Sequence, residues 1–220
     1  MAVKKNSDEA RSAVHRLCED YYRPVLNFVR RTILHNNFQY GSWDAEDLVQ
    51  DFFLRVLQGE EFRHLERHRG RFRSYLLGAV KFFLADVRDK ESAQKRGGQN
   101  TTIPLKDEIV EVSDDFDAKF DRDWAETVVA RCVDQLREEA EKENQPDRFE
   151  HLRPWLAGEP GETQREETMA ELCISKEHFH VLVSRLRKKF RVAVRARIAE
   201  TVDSDSEVAT ELDYLIRALS

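Results

Sequence analysis

The chain has 220 residues and a formal net charge of −6, with 36 Lys and Arg against 42 Asp and Glu. That length suits one ordinary domain or two small helical ones and excludes a large enzyme core. Charged residues make up 35 % of the chain while Gly (8) and Pro (5) are scarce, the composition of a soluble helical protein rather than a fibrous or disordered one.

No apolar run approaches the roughly 20 residues of a membrane span, and the opening MAVKKNSDEARS lacks the apolar core of a signal peptide. A cytoplasmic location with no membrane partner is therefore expected. Cys18, Cys132 and Cys173 lie far apart without a CxxC pair, so they read as core hydrophobes rather than zinc ligands or disulfides.

The first helical stripe is Leu17, Tyr21, Val25, Phe28 and Thr32, and Leu48, Phe52 and Val56 mark a second helix. Asp44 is a good N-cap for that second helix, and Glu46, Asp47 and Asp51 sit where the macrodipole favours negative charge. A third helix runs from about Arg71 to Lys90, with Phe72, Leu76, Val80, Phe83 and Val87 on its apolar face. A second face of it carries Arg71, Ser74, Gly78, Lys81, Ala85 and Arg88, flanked by Tyr75 and Phe82.

Beyond KRGGQNTT, residues 97–123 read as a flexible acidic linker, apart from the short strand-like TTIPL and IVEV. The helical pattern resumes at Trp124 with Val128, Cys132 and Leu136, breaks at ENQPDR and breaks again at GEPGET. REETMAEL then leads through CIS to a longer helix capped by Ser175, with Phe179, Leu182, Leu186, Phe190 and Val194 inward. This is the outline of a helix-turn-helix whose first exposed positions, Lys176, Glu177, His180, Val181 and Ser184, would face a major groove. A last helix carries Val208, Leu212, Leu215 and Leu219 on one side.

Charge is segregated along this order. Basic residues dominate from Phe62 to Gly98, acidic ones in KDEIVEVSDDFDAKFDRDWAE, and Arg185 to Arg197 hold seven basic residues and no acid. A basic block beside a helix-turn-helix outline favours nucleic acid over a merely solvated face. His64 and His68 stand at a metal-pair spacing, but Arg63, Arg67 and Arg69 would repel a cation, so no metal is expected. No nucleophile with a base, phosphate-cradling glycine loop or paired-acid motif stands out, so neither an enzyme nor a cofactor is expected.

DAEDLVQDFFLRVL with RGRFRSYLLGAVKFFLADVRDKESAQKRGG resembles region 2 of extracytoplasmic function (ECF) sigma factors, and ELCISKEHFHVLVSRLRKKFR resembles their region 4. REEAEKENQPDRFEHLRPWLAGEPGET and the tail RARIAETVDSDSEVATELDYLIRALS are similar to a subgroup from planctomycete-like bacteria. The resemblance implies an all-α protein: a region 2 helical bundle (1–96), the acidic linker (97–123), a region 4 helix-turn-helix (124–202) and a C-terminal helix (203–220).

It further implies that Asp47, Gln50, Asp51 and Leu54 dock on the clamp helices of the RNA polymerase β′ subunit. Arg71, Arg73, Ser74, Lys81, Arg88, Lys95 and Arg96 would hold the promoter −10 element as it melts, with Tyr75 and Phe82 as stacking partners. Lys176, His180, Val181 and Ser184 would lie near base edges of the −35 element, and Arg185 and Lys188 nearer phosphates. The linker would thread toward the polymerase active site, its charge imitating RNA.

Two departures stand against the pattern. Cys173 occupies a turn position where the family carries glycine, which predicts a turn without a residue of positive φ, and KEHFH replaces small residues and a lysine at the start of the recognition helix. The implied role is recruitment of core RNA polymerase to specific promoters and assistance in melting them. The rivals are a helix-turn-helix regulator acting without polymerase and a sigma mimic that binds an anti-sigma factor. Many relatives are held by an anti-sigma factor and some subgroups are tied to protein kinases; the sequence selects neither regulator, nor a role for the C-terminal helix.

Overall fold

The computed structural model describes residues 2–36, 43–58, 72–95, 114–202 and 204–220. Eight α-helices and a short 3-10 turn account for them: α1 (Ala2–Asn36), α2 (Ala45–Gln58), α3 (Phe72–Lys95), α4 (Asp114–Lys142), α5 (Pro146–Leu152), the turn Arg153–Leu156, α6 (Glu162–Glu171), α7 (Lys176–Ala199) and α8 (Asp205–Leu219). The class is all-α, with no strand among the described residues. TTIPL and IVEV lie outside them.

By its contacts the chain divides into a first unit, Met1–Thr127 with Thr201–Ser220, and a second, Val128–Glu200. The first is built on the apolar stripes of α1, α2 and α3. Val25, Phe28, Leu48, Phe52, Leu76, Val80 and Phe83 are fully buried. The Phe52 ring lies 5.6 Å from that of Phe83, and Phe28 meets Phe120 of α4 edge-on at 6.0 Å. Thr32, the polar member of the α1 stripe, is buried because its hydroxyl donates to the Phe28 carbonyl at 2.9 Å.

Two features depart from the expected layout. Residues 97–113 lie outside the described ones, but the remainder of the expected linker is helical, since α4 begins at Asp114. Phe120 and Trp124, one turn apart and buried, give that stretch an inward face, and its aspartates favour a helix N-terminus, so acidity alone misread it. The C-terminal helix α8, set apart in the sequence as its own segment, belongs to the first unit. Val208, Glu211 and Leu215 form its buried side, and the Phe72 amide donates to the Thr201 carbonyl at 3.1 Å where the chain returns.

The second unit packs Leu152, Trp155, Phe179, Leu182 and Val183 together, with Met169, Leu172, Ile174 and Leu186 against them. Trp155 and Phe179 meet edge-on at 4.9 Å. Both α4 and α6 end in the same backbone motif. The Gln145 amide donates to the Ala140 carbonyl (2.8 Å) and Asn144 to Glu141 (3.0 Å); likewise Ile174 donates to Met169 (3.0 Å) and Cys173 to Ala170 (3.1 Å). The left-handed residue each motif needs is Asn144 (φ 56°) in one and Cys173 (φ 52°) in the other. The expectation of a turn lacking a positive φ is thus corrected: the turn keeps the glycine geometry and places a cysteine in it.

Candidate functional site

The second helix opens with a reciprocal cap. The Asp47 amide donates to Asp44 Oδ1 at 2.8 Å, and the Asp44 amide donates to Asp47 Oδ2 at 3.4 Å. This fixes the helix start and turns Asp47 and Gln50 outward, both exposed. Asp51 is half-buried and paired with Arg55 at 2.7 Å; Arg55 also reaches Asp86 of α3 at 3.3 Å and lies over the Phe83 ring. Leu54 is 55 % exposed, and two residues not singled out in the sequence, Trp43 and Leu57, are exposed to 46 % and 52 %. Positions 47, 50, 54 and 57 alternate steps of three and four, so they share one face of α2, and Trp43 stands exposed just before the helix. That spacing was the available signal.

The basic residues of α3 are placed differently from one another. Ser74 is exposed, Phe82 is 37 % exposed, and Tyr75 and Arg88 are half-buried, with Arg88 Nε 3.6 Å from Asp89. Lys81 is largely covered, its Nζ 2.7 Å from Asp117 of α4. Arg71 and Arg96 lie outside the described residues, as does the side chain of Lys95. His64 and His68 do too, and among the described residues no cluster could hold a metal ion.

Arg73, expected at DNA, is instead in the core at 4 % exposure. Its Nε donates to Glu211 of α8 at 3.0 Å, its Nη1 to Asp121 of α4, and its guanidinium stacks 4.1 Å from the centre of the Tyr214 ring. Burial works to lower its pKa, but Asp121 and Glu211 outweigh that and hold it above its ordinary value. The Tyr214 hydroxyl donates to Asp121, and burial together with that bond raises its pKa. Glu211 is 1 % exposed, so the three charges and the phenol close a buried network that removes Arg73 from any phosphate.

In the second unit, Ser175 caps α7 by accepting from the His178 amide at 3.3 Å. Glu177 in that first turn has a lowered pKa, from its own backbone N–H first and then from the Ser175 hydroxyl. Lys176, His180, Val181, Ser184, Arg185 and Lys188 are all exposed. Steps of four from Lys176 through His180 and Ser184 to Lys188, with Val181 and Arg185 beside them, bring all six to one side of α7. Arg187 turns the other way and gives its donors to the carbonyls of Trp155 (2.9 Å) and Gly158 (2.8 Å), which fixes the helix on the 3-10 turn. Arg165 and Arg191, not singled out in the sequence, line a groove of about 580 Å³ beside His180 and Ser184.

Residues 17–92 match the family model Sigma-70 region 2, a segment that takes in α2, most of α3 and the end of α1. No curated protein and no solved structure matches the chain. The match covers less than half of the chain and shows that this segment is similar to region 2 of sigma-70 factors.

Proposed function

We propose that the chain is an ECF-type sigma factor that recruits core RNA polymerase to specific promoters and helps to open them. The observation that carries this reading is the exposed face of α2 within the segment that matches region 2. An amphipathic helix that leaves Leu54 and Leu57 in solvent beside Asp47 and Gln50, with the exposed Trp43 just before it, offers apolar groups next to acidic and polar ones. The proposed partner is the clamp-helix pair of the β′ subunit.

In this reading α6 and α7 are the region 4 helix-turn-helix that contacts the −35 element. Lys176, His180, Val181 and Ser184 lie toward base edges, and Arg185 and Lys188 toward phosphates. Ser74, Lys81, Arg88, Tyr75 and Phe82 of α3 remain the −10 candidates, with Arg71, Lys95 and Arg96 proposed on sequence alone. Arg73 is withdrawn from that set. An anti-sigma factor or a kinase pathway is the proposed class of regulator, the location cytoplasmic, and the chemistry the polymerase's own.

The test is binding of the purified protein to core RNA polymerase, followed by transcription from pooled genomic fragments. Because Asp47 also caps α2, the sharpest variant is Gln50→Arg with Leu54→Ala, which leaves the cap intact. It is expected to weaken polymerase binding by roughly tenfold or more, about 1.4 kcal/mol, with an unchanged helical spectrum. Asp47→Arg with Asp51→Arg is expected to abolish binding. Unchanged affinity in both variants would remove the α2 assignment, and start sites without a shared pair of motifs would remove promoter selection.

A further inference from the structure

The groove of about 580 Å³ in the second unit has an apolar part, to which Trp155, Phe179, Val183 and Phe190 contribute. Its volume falls within the roughly 300–1,000 Å³ of small-molecule sites, which combine such a lining with a few placed polar groups. Trp155 and Phe179 are buried and meet edge-on, so this part of the lining is fixed by the core.

Two donors of the lining have no acceptor. Trp155, which is 3 % exposed, leaves its Nε1 buried without a hydrogen-bond partner in the protein, and Arg165 does the same with its Nε. Donors left in that state cost stability, and an acceptor brought to them recovers it. The charge has the same sense. Arg165, Arg187 and Arg191 line the groove against one carboxylate, Glu159. Arg165 shares its charge with Glu162 through Nη2, whereas Arg187 and Arg191 donate to main-chain carbonyls, which orient a guanidinium without neutralising it. His180 and Ser184 add further donors to the same lining.

We propose that this groove is a binding site for a small organic acid with a flat apolar body. Its carboxylate takes the donors of Arg165, Arg191 and the Trp155 indole, and its body lies against Phe179, Val183 and Phe190. A carboxylate accepts several N–H groups at once and matches a guanidinium in its plane, which a neutral ligand of the same shape does not. A free phosphate or a DNA backbone would meet the arginines but leave the apolar lining uncovered, so the two halves of the groove together favour the organic acid.

The test is a titration of the full isotope-labelled chain with naphthoate, followed by NMR through the indole N–H signals of its three tryptophans. Loss of one signal in Trp155→Phe identifies that of Trp155. It is expected to move saturably, with a Kd of about 1 mM or tighter, while those of Trp43 and Trp124 stay in place. Arg191→Gln, at an exposed position, should weaken binding about tenfold, and so should exchange of the probe for uncharged naphthamide. Lys142→Gln removes an exposed cation elsewhere in the second unit and should leave the affinity unchanged. A Trp155 signal that stays still up to about 10 mM naphthoate overturns the site. Equal affinity for the acid and the amide, or an equal loss in Lys142→Gln and Arg191→Gln, overturns the carboxylate as the recognised group. Movement of the signal with a short DNA duplex but not with naphthoate also overturns the proposal and assigns the groove to nucleic acid.

Discussion

In the first unit the cations meet carboxylates of their own chain: Arg73 is enclosed by Asp121 and Glu211, Lys81 lies on Asp117, and Arg55 bridges Asp51 and Asp86. In the second, Lys176, Arg185 and Lys188 stand exposed along α7, and the inward-turned Arg187 is fixed by backbone carbonyls rather than by acids. The same residue types thus build structure around α3 and an open surface along this side of α7, while elsewhere in the second unit Arg137, Arg165 and Lys189 pair with acids. Basic composition measures how many cations a segment has, whereas availability depends on where acids from distant segments return to it. A substitution in the first unit should therefore register in stability, and a substitution on α7 in binding.

The largest expected effect is Arg73→Met. It leaves two buried carboxylates, Asp121 and Glu211, without their cation, and breaking a buried pair in this way costs about 3–5 kcal/mol. Hydrogen exchange in α3 and α8 should accelerate strongly while α7 is unaffected, since α7 belongs to the other unit. Adding Glu211→Leu removes one stranded charge on the apolar side of α8, so the double variant should recover part of the loss. Protection in α3 and α8 unchanged in the single variant would show that the network is not holding them together.

That network also marks the limit of sequence reading here. The helices of the first three stripes, the Ser175 cap and the inward Phe179, Leu182 and Val194 are legible because they depend on residues three or four apart. Arg73 is not, because its partners lie 48 and 138 residues away and RGRFR reads as one basic run. A signal was present on the other side: Glu211 falls between Val208 and Leu215 on the apolar stripe of α8, and a buried acid needs a buried base. The helical start of α4 was hidden in the same way, its acids outweighing the inward Phe120 and Trp124 in a reading by charge. On α2, the DAEDLVQ pattern led to Asp47, Gln50 and Leu54, while Leu57 on the same face and Trp43 just before the helix needed the exposures to be noticed.

A smaller effect comes from the paired turns of the second unit. Cys173 holds the left-handed position that Asn144 holds at the end of α4, and a side chain of ordinary shape there costs roughly 1–2 kcal/mol where Asn is better tolerated. Glycine at Cys173 relieves that cost but loses more entropy on folding, by about 0.5–1 kcal/mol. Cys173→Gly is thus expected to stabilise the second unit by about 0.5–1 kcal/mol, with Asn144→Gly giving less. Denaturation followed by exchange in α6 and α7 measures both. A destabilised Cys173→Gly would mean that the thiol makes a contribution the backbone geometry does not account for.

The smallest effect on stability, and the one that most directly separates the units, belongs to Arg185→Ala with Lys188→Ala. Both side chains are exposed on α7 and lie away from the core of Trp155, Phe179, Leu182 and Val183, so their removal should change stability by less than about 0.5 kcal/mol. If they meet phosphates, promoter affinity falls alike at all sequences, and the slope of log affinity against log salt flattens by about 1.8 for two lost contacts on duplex DNA. Quantitative binding to several duplexes at four or five salt concentrations distinguishes this from base reading. A changed sequence preference at constant slope would move both residues from the phosphates to the base edges, where their exposed neighbours His180 and Ser184 are placed.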